Sequence, residues 1–428
     1  MLMVQRRFRF KRVYKAAAQQ NFPSKMMVLG QGTPAATCLL ILCLLATGCH
    51  GNQFDPHLYP SNGPFFEGWY VRLMDPAQQF SLGFLHGRVL PAKNSSAGTS
   101  ASQSPAESQK CKFSSQHCAM HKQQGLPLVY ASVLVQDNNV SQKLQSYNGA
   151  FPARDYSVTV QGGKPVVQNP DDESPPDFSV KLGNNGSFVV TADGTLVNVA
   201  IGNVRLYIKA SNPVPWGPHG EGPESWLDHL PLPLHWFVYS LRSTVTQYKF
   251  TDAASGRIVS GGNARLHMEK NWGETFPTAW VWSQGVTKSN VNLALSGGIV
   301  HFIRDVTAFL VGYRNPGKNI VWNFTPANSR VSFVHDGCNG AFNLNLTSVD
   351  HKLALKVSSP MSSFSDCLLG PEKYGFRPAC VESYNAVASV RAYKRNYFHF
   401  EEVDRAEIPQ AALEFGGTYV CKQKCSGI

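Results

Sequence analysis

The feature that most constrains this chain is its run of short apolar stretches, rich in Val, Ile, Phe, Tyr and Trp and broken by Gly, Asn and Asp. Stretches at 65–71, 80–89, 128–136, 156–160, 178–182, 187–191, 196–201 and 204–210 read as strands at close spacing. After a Pro-, Gly- and Trp-rich passage at 213–234 the same texture returns, from 236–240 through 280–284, 309–313 and 353–357 to 411–414. Helical periodicity is nearly absent, so the pattern predicts antiparallel meanders and not alternating strands and helices. The expected fold is all-β, with two consecutive β bodies over 52–225 and 226–428 and few short helices. Residues 92–126 interrupt the first body: 92–109 is almost wholly small and polar and reads as an exposed inserted loop.

A net charge of +11 invites a nucleic-acid reading, but its location argues against one. Seven basic residues and no acidic one fall within residues 1–50, and the remainder carries 32 basic against 28 acidic side chains, scattered along the chain. No nucleic-acid partner is expected. The leader also holds a 14-residue apolar segment, 35–48, ending in small residues before Cys49. That is the length of a signal-peptide core and shorter than the ~20 residues that cross a bilayer. Residues 1–50 therefore read as a secretory leader, with an uncleaved anchor or a plastid-type transit peptide as alternatives. N-glycosylation patterns at Asn94, Asn139, Asn185, Asn323 and Asn345 agree with secretory entry. Cysteines beyond the leader lack paired zinc spacing; in an oxidising compartment Cys111 with Cys118, and Cys421 with Cys425, could close local loops. Gly312 to Lys318 has phosphate-loop spacing, but Asn319 replaces the Ser or Thr that binds magnesium and Pro316 marks a turn. No G-x-S-x-G elbow occurs.

Several segments stand in one order: Phe65-Phe66-Glu67-Gly68-Trp69-Tyr70, Trp216-Gly217-Pro218, His235-Trp236, and Glu269-Lys270-Asn271-Trp272-Gly273 with Phe276-Pro277 and Trp280-Val281-Trp282. Arg377-Pro378-Ala379-Cys380-Val381-Glu382-Ser383 and Glu414-Phe415-Gly416-Gly417 close the series. Together, over roughly residues 58–420, they resemble the tocopherol cyclase family. The resemblance implies two lipocalin-like β-barrel halves around an apolar cavity. It also implies an apolar ligand of the prenylated quinol class, closed to a chromanol without redox cofactor or metal. Any membrane contact is then peripheral, or through a retained leader. The basic leader, the sequons and the insertion at 92–126 depart from the plastid setting of that family.

Such a closure needs an acid in a dry pocket, because burial keeps a carboxyl protonated, and aromatic faces to steady the cation. Glu67 and Glu269 are the carboxyls set among aromatics, and either is a candidate proton donor. Tyr70 and Asn271 are candidates to hold the quinol oxygen, with Phe66, Trp69, Trp272, Trp280 and Trp282 lining the cavity. Strand alternation puts Glu67, Trp69 and Val71 on one face and Phe66, Gly68 and Tyr70 on the other. The structural alternative pairs Glu67 with Arg72 or Arg88. His86 and His235 read as satisfied structural residues. A competing function is a catalytically silent, secreted carrier of an apolar ligand, and a third is a hydratase or pericyclase on the same scaffold.

Overall fold

A computed structural model describes residues 50–58, 60–92, 128–160, 167–168, 174–301, 304–422 and 424–425. The leader, with its signal-peptide reading, lies outside the described residues. So do residues 93–127, and with them Asn94, Cys111 and Cys118.

The described chain is all-β, its helical content limited to 3-10 turns. Besides a short parallel pair, the strands form two antiparallel sheets, of 12 and 10 strands. Nine strands frame the site. In the first sheet they are β1 (Phe65–Asp75), β2 (Phe80–Leu90), β3 (Leu128–Asp137), β4 (Leu234–Asp252) and β5 (Ala264–Gly273), in the order β3-β2-β1-β5-β4. Ser141–Pro152 extends this sheet beyond β3. A meander from Val204–Val214 back to Tyr156–Val160 extends it beyond β4. In the second sheet the framing strands are β6 (Ala279–Val286), β7 (Asn292–His301), β8 (Gly375–Asn396) and β9 (His399–Gly417), in the order β7-β6-β9-β8.

Each sheet curls round its own apolar core. In the first, Phe84 on β2 meets Phe188 from the far part of the strand order, ring centres 6.4 Å apart. In the second, Phe309 and Phe333, from strands near opposite ends of the order, lie 4.8 Å apart. Alternation explains the strands: along Gly194–Ile201, Thr195, Val197, Val199 and Ile201 are buried and the residues between them are not. Burying each such Val or Ile contributes roughly 1.5–3 kcal/mol. Every residue of β6 is buried, because one of its faces fills the second core and the other, with Trp280 and Trp282, meets the first sheet.

Two expectations are corrected. Pairing passes from one sheet to the other between Gly273 and Ala279, so the division expected at 225/226 falls inside the first sheet. β4 and β5 belong there because β5 pairs with β1, a register between distant segments that local alternation does not report. Cys421 and Cys425 do not join each other. The disulfides are Cys338–Cys421 and Cys367–Cys425, with Cα separations of 4.7 and 5.3 Å, and they tie the C-terminal tail to the second sheet. Of the sequons, Asn139, Asn323 and Asn345 are exposed and Asn185 is half-buried.

Candidate active site

The site lies between the two sheets, in a cavity of about 440 Å³. Its first wall is the outer face of β1, β2 and β5. As alternation predicts, Trp69 and Val71 enter the first core, while Phe66, Gly68 and Tyr70 border the cavity. Cross-strand register aligns Glu269 on β5 with Tyr70 on β1, and Tyr70 with Leu85 on β2. The second sheet answers with a row of its own: Ser296 on β7, Trp282 on β6, Glu414 on β9 and Glu382 on β8. All of these residues border the cavity.

The two rows are bonded across the gap. The Tyr70 hydroxyl donates to Glu382 Oε1 at 2.7 Å and lies 2.8 Å from the Tyr384 hydroxyl. Trp282 Nε1–H donates to Glu269 Oε2 at 3.1 Å, and His267 Nε2 lies 2.9 Å from the same oxygen. The Trp280 indole N–H and the Cys380 thiol both hydrogen-bond Glu414. Arg72, fully buried, donates to the Gln284 side chain at 2.7 Å and to the Gln410 carbonyl at 2.6 Å, its guanidinium 4.6 Å from the centre of the Tyr384 ring.

Three glutamates thus meet in a low-dielectric space. Burial, reinforced by the charge of Glu414, pushes the Glu382 carboxyl well above its ordinary value, against the pull of Tyr70 and Arg72. Burial also lifts Glu414 to about 7, opposed by its bonds from Trp280 and Cys380 and aided by the charge of Glu269. As cross-strand neighbours these two carboxyls titrate as a pair that keeps a proton at neutral pH. Tyr70 and Tyr384 are raised well above 10, chiefly by burial, so both hydroxyls stay neutral.

Glu67 has a different setting. It is 1% exposed and borders the cavity, but its carboxylate oxygens are taken up by basic partners. Arg88 donates to its Oε2 at 2.8 and 3.1 Å, Lys270 Nζ lies 3.1 Å from Oε1, and the His57 amide donates to Oε1 at 2.7 Å. Burial by itself would raise its pKa; Lys270 and Arg88 outweigh that and hold the carboxyl well below its ordinary range. It is an ionised anchor, and of the two arginines considered for it Arg88 is the partner. The site residues expected around it divide in the same way. Trp69 borders the cavity, but its side chain stacks on His86 at 5.1 Å and donates to the Phe54 carbonyl at 2.9 Å. Trp272 stacks on His235 at 5.0 Å and packs against the first core, away from the cavity. Phe66, Tyr70, Glu269, Asn271, Trp280 and Trp282 do line it. His86 is buried without a hydrogen-bond partner, and burial lowers its pKa to about 3, so it is a neutral, stacked side chain.

Sequence reasoning missed Glu382, Glu414, Cys380 and Tyr384. The signal was present: Cys380, Glu382 and Tyr384 alternate along one strand, and both glutamates lie in segments that carry the family resemblance. Among the described residues no group of three or more His, Cys, Asp or Glu is arranged to hold a metal ion.

Comparison with known proteins gives three findings. The sequence model of the tocopherol cyclase-like family matches residues 63–417. A solved structure described as a putative AttH from Nitrosomonas europaea is similar at 13% identity and a TM-score of 0.45, over 83% of this chain and 93% of that one. No curated protein matches.

Proposed function

Because the chain belongs to the tocopherol cyclase-like family, we propose that it closes a prenylated quinol to a chromanol, with Glu382 as the proton donor. The observation that carries this reading is a carboxyl held neutral by burial inside an aromatic-walled cavity. Tyr70 occupies Glu382 Oε1 as a donor, which leaves Oε2 to carry the acidic proton. That proton adds to the trisubstituted alkene of the tail and gives a tertiary cation. The indole and phenyl faces of Trp280, Trp282 and Phe276 steady the cation, each contributing roughly 0.5–2 kcal/mol. The phenol oxygen then attacks the cation, forming the C–O bond, and its proton passes to the carboxylates of the cluster. The sum is an isomerisation: no electron or atom is gained or lost.

Glu269, bonded to Trp282 and His267, sits beside the acid pair. Glu67 is assigned no chemical step. Its ion pairs with Arg88 and Lys270 fix β1 against β2 and β5 and so set the wall on which Tyr70 stands. Two disulfides and three exposed sequons support work in an oxidising, secretory compartment. An apolar tail is best supplied from a membrane surface, which the protein would meet peripherally.

The test incubates the full chain with a prenylated benzoquinol in micelles and follows chromanol by chromatography at unchanged mass. Turnover that falls about 10²–10⁴-fold in Glu382→Gln, with an unchanged melting curve, is the expected result. Tight binding without product in the wild type would replace the cyclase by a carrier.

A further inference from the structure

One residue pair along the strands from the acid row runs a second row facing the same cavity. Trp236 on β4 pairs with Asn271 on β5, Asn271 with Gly68 on β1, Gly68 with Gly87 on β2, and Gly87 with Tyr130 on β3. All five border the cavity. Two adjacent strands therefore present bare backbone at one level. A Cβ on Gly68 would have only the backbone of β2 within 4 Å, with His86 O at 3.2 Å, and no side chain from the opposite sheet. Neither glycine has a left-handed φ. A Cβ on Gly87 would come within 2.9 Å of the Glu67 carbonyl oxygen, so the close pairing of β1 with β2 calls for glycine there, whereas at Gly68 no contact falls below 3.2 Å. Glycine in a strand interior weakens a sheet and marks a bulge, a bend or a close approach by another backbone or a ligand. The β1 backbone accounts for Gly87, and Gly68 is left open toward the cavity.

An independent observation points to a ligand at this shelf. Trp236 is 3% exposed, and its indole N–H has no hydrogen-bond partner. A buried donor left unpaired is costly, and Trp normally finds an acceptor for its N–H. Asn271, its cross-strand neighbour, donates through Nδ2 to the His235 carbonyl at 3.3 Å, and its Oδ1 makes no hydrogen bond within the protein. Trp236 and Asn271, cross-strand neighbours that both border the cavity, thus bring one unpaired donor and one unpaired acceptor beside the two glycines. Phe276 walls the region, its ring 5.2 Å from Phe66 on one sheet and 5.2 Å from Trp280 on the other.

We propose that this shelf is the headgroup subsite: a flat hydroquinone ring lies on Gly68 and Gly87. One ring oxygen accepts from the Trp236 indole N–H, and a ring hydroxyl donates to Asn271 Oδ1. The inference rests on the quinol reading and deepens it by fixing an orientation. The ring sits on the glycine row, and the first double bond of its tail falls beside Glu382 on the neighbouring row, about 7 Å along the strands. The rest of the tail follows the apolar walls formed by Leu227, Leu232 and Val306.

The test separates head from tail by calorimetry on the full chain, with trimethylhydroquinone as a tail-free probe and a prenyl alcohol as a ring-free probe. Gly68→Val is expected to weaken hydroquinone binding more than ten-fold while leaving the prenyl alcohol within two-fold. Trp236→Phe keeps the ring and deletes only the donor, so it is expected to weaken hydroquinone roughly five- to ten-fold. Thermal melts confirm that both variants fold, and Trp236→Phe decides the matter if Gly68→Val does not. Equal loss of both probes, unchanged hydroquinone binding, or a wild type that does not bind hydroquinone overturns the proposal. Selective loss of the hydroquinone without any chromanol formed by the wild type would retire the cyclase reading and leave the shelf standing.

Discussion

Two groups of buried glutamates in this molecule are equally dry and differ in charge: Glu67 is ionised, while Glu382 and Glu414 hold a proton. Glu67, at the border of the cavity, has Arg88 and Lys270 within 3.1 Å and remains a carboxylate. Glu382 and Glu414 lie between the sheets, bonded by Tyr70, Trp280 and Cys380, all of which are neutral donors. Burial pushes all three upward; only Glu67 has cations close enough to reverse the push. Burial alone therefore does not identify an acid. What surrounds the carboxyl decides whether it holds a fold together or can give up a proton.

The comparison is broken or sharpened most strongly by removing the anchor. Glu67→Ala leaves the buried Lys270 and the half-buried Arg88 without their counter-charge and is expected to destabilise the protein by about 3–5 kcal/mol. Glu382→Ala, which removes a neutral group, should cost clearly less stability while removing turnover. Denaturant melts of the two variants check this, and equal losses would erase the distinction.

A smaller effect separates the two groups by pH. Glu414 is raised from 4.5 to about 7, so its contribution to stability is full below pH 4.5 and is lost as pH rises through about 7. Glu67 is lowered from 4.5, so its contribution is present above that pH and is lost as pH falls below it. The stability difference between wild type and Glu414→Gln should shrink from pH 4.5 to 7. Over the same range the difference between wild type and Glu67→Gln should stay level. Parallel curves would mean that the two environments are not distinct.

Much of the wall at β1 was legible from sequence, because a period of two sends Glu67 and Trp69 one way and Phe66 and Tyr70 the other. Trp280 and Trp282 line the cavity for the same reason. What alternation could not reveal is which distant strands meet. The charge of Glu67 depends on Lys270, brought beside it by the pairing of β1 with β5, and on Arg88 across β2. The neutrality of Glu382, on the second sheet, depends on the first sheet covering it. In the sequence Glu382 has one aromatic nearby, Tyr384 two places on, whereas Glu67 stands among Phe65, Phe66, Trp69 and Tyr70. Aromatic flanks drew attention to the anchor, and the acid was set by tertiary packing. The disulfide partners of Cys421 and Cys425 escaped for a similar reason, since nearness in sequence is no guide to nearness across a sheet.

The most direct measurement of the central claim is turnover of the prenylated quinol in heavy water, with the deuterium position in the chromanol read by NMR. A buried carboxylic acid that protonates the alkene predicts one carbon-bound deuterium, on the ring carbon next to the ether-bearing carbon, and loss of this product in Glu382→Gln. Chromanol formed without carbon-bound deuterium, or formed equally well by Glu382→Gln, would contradict it.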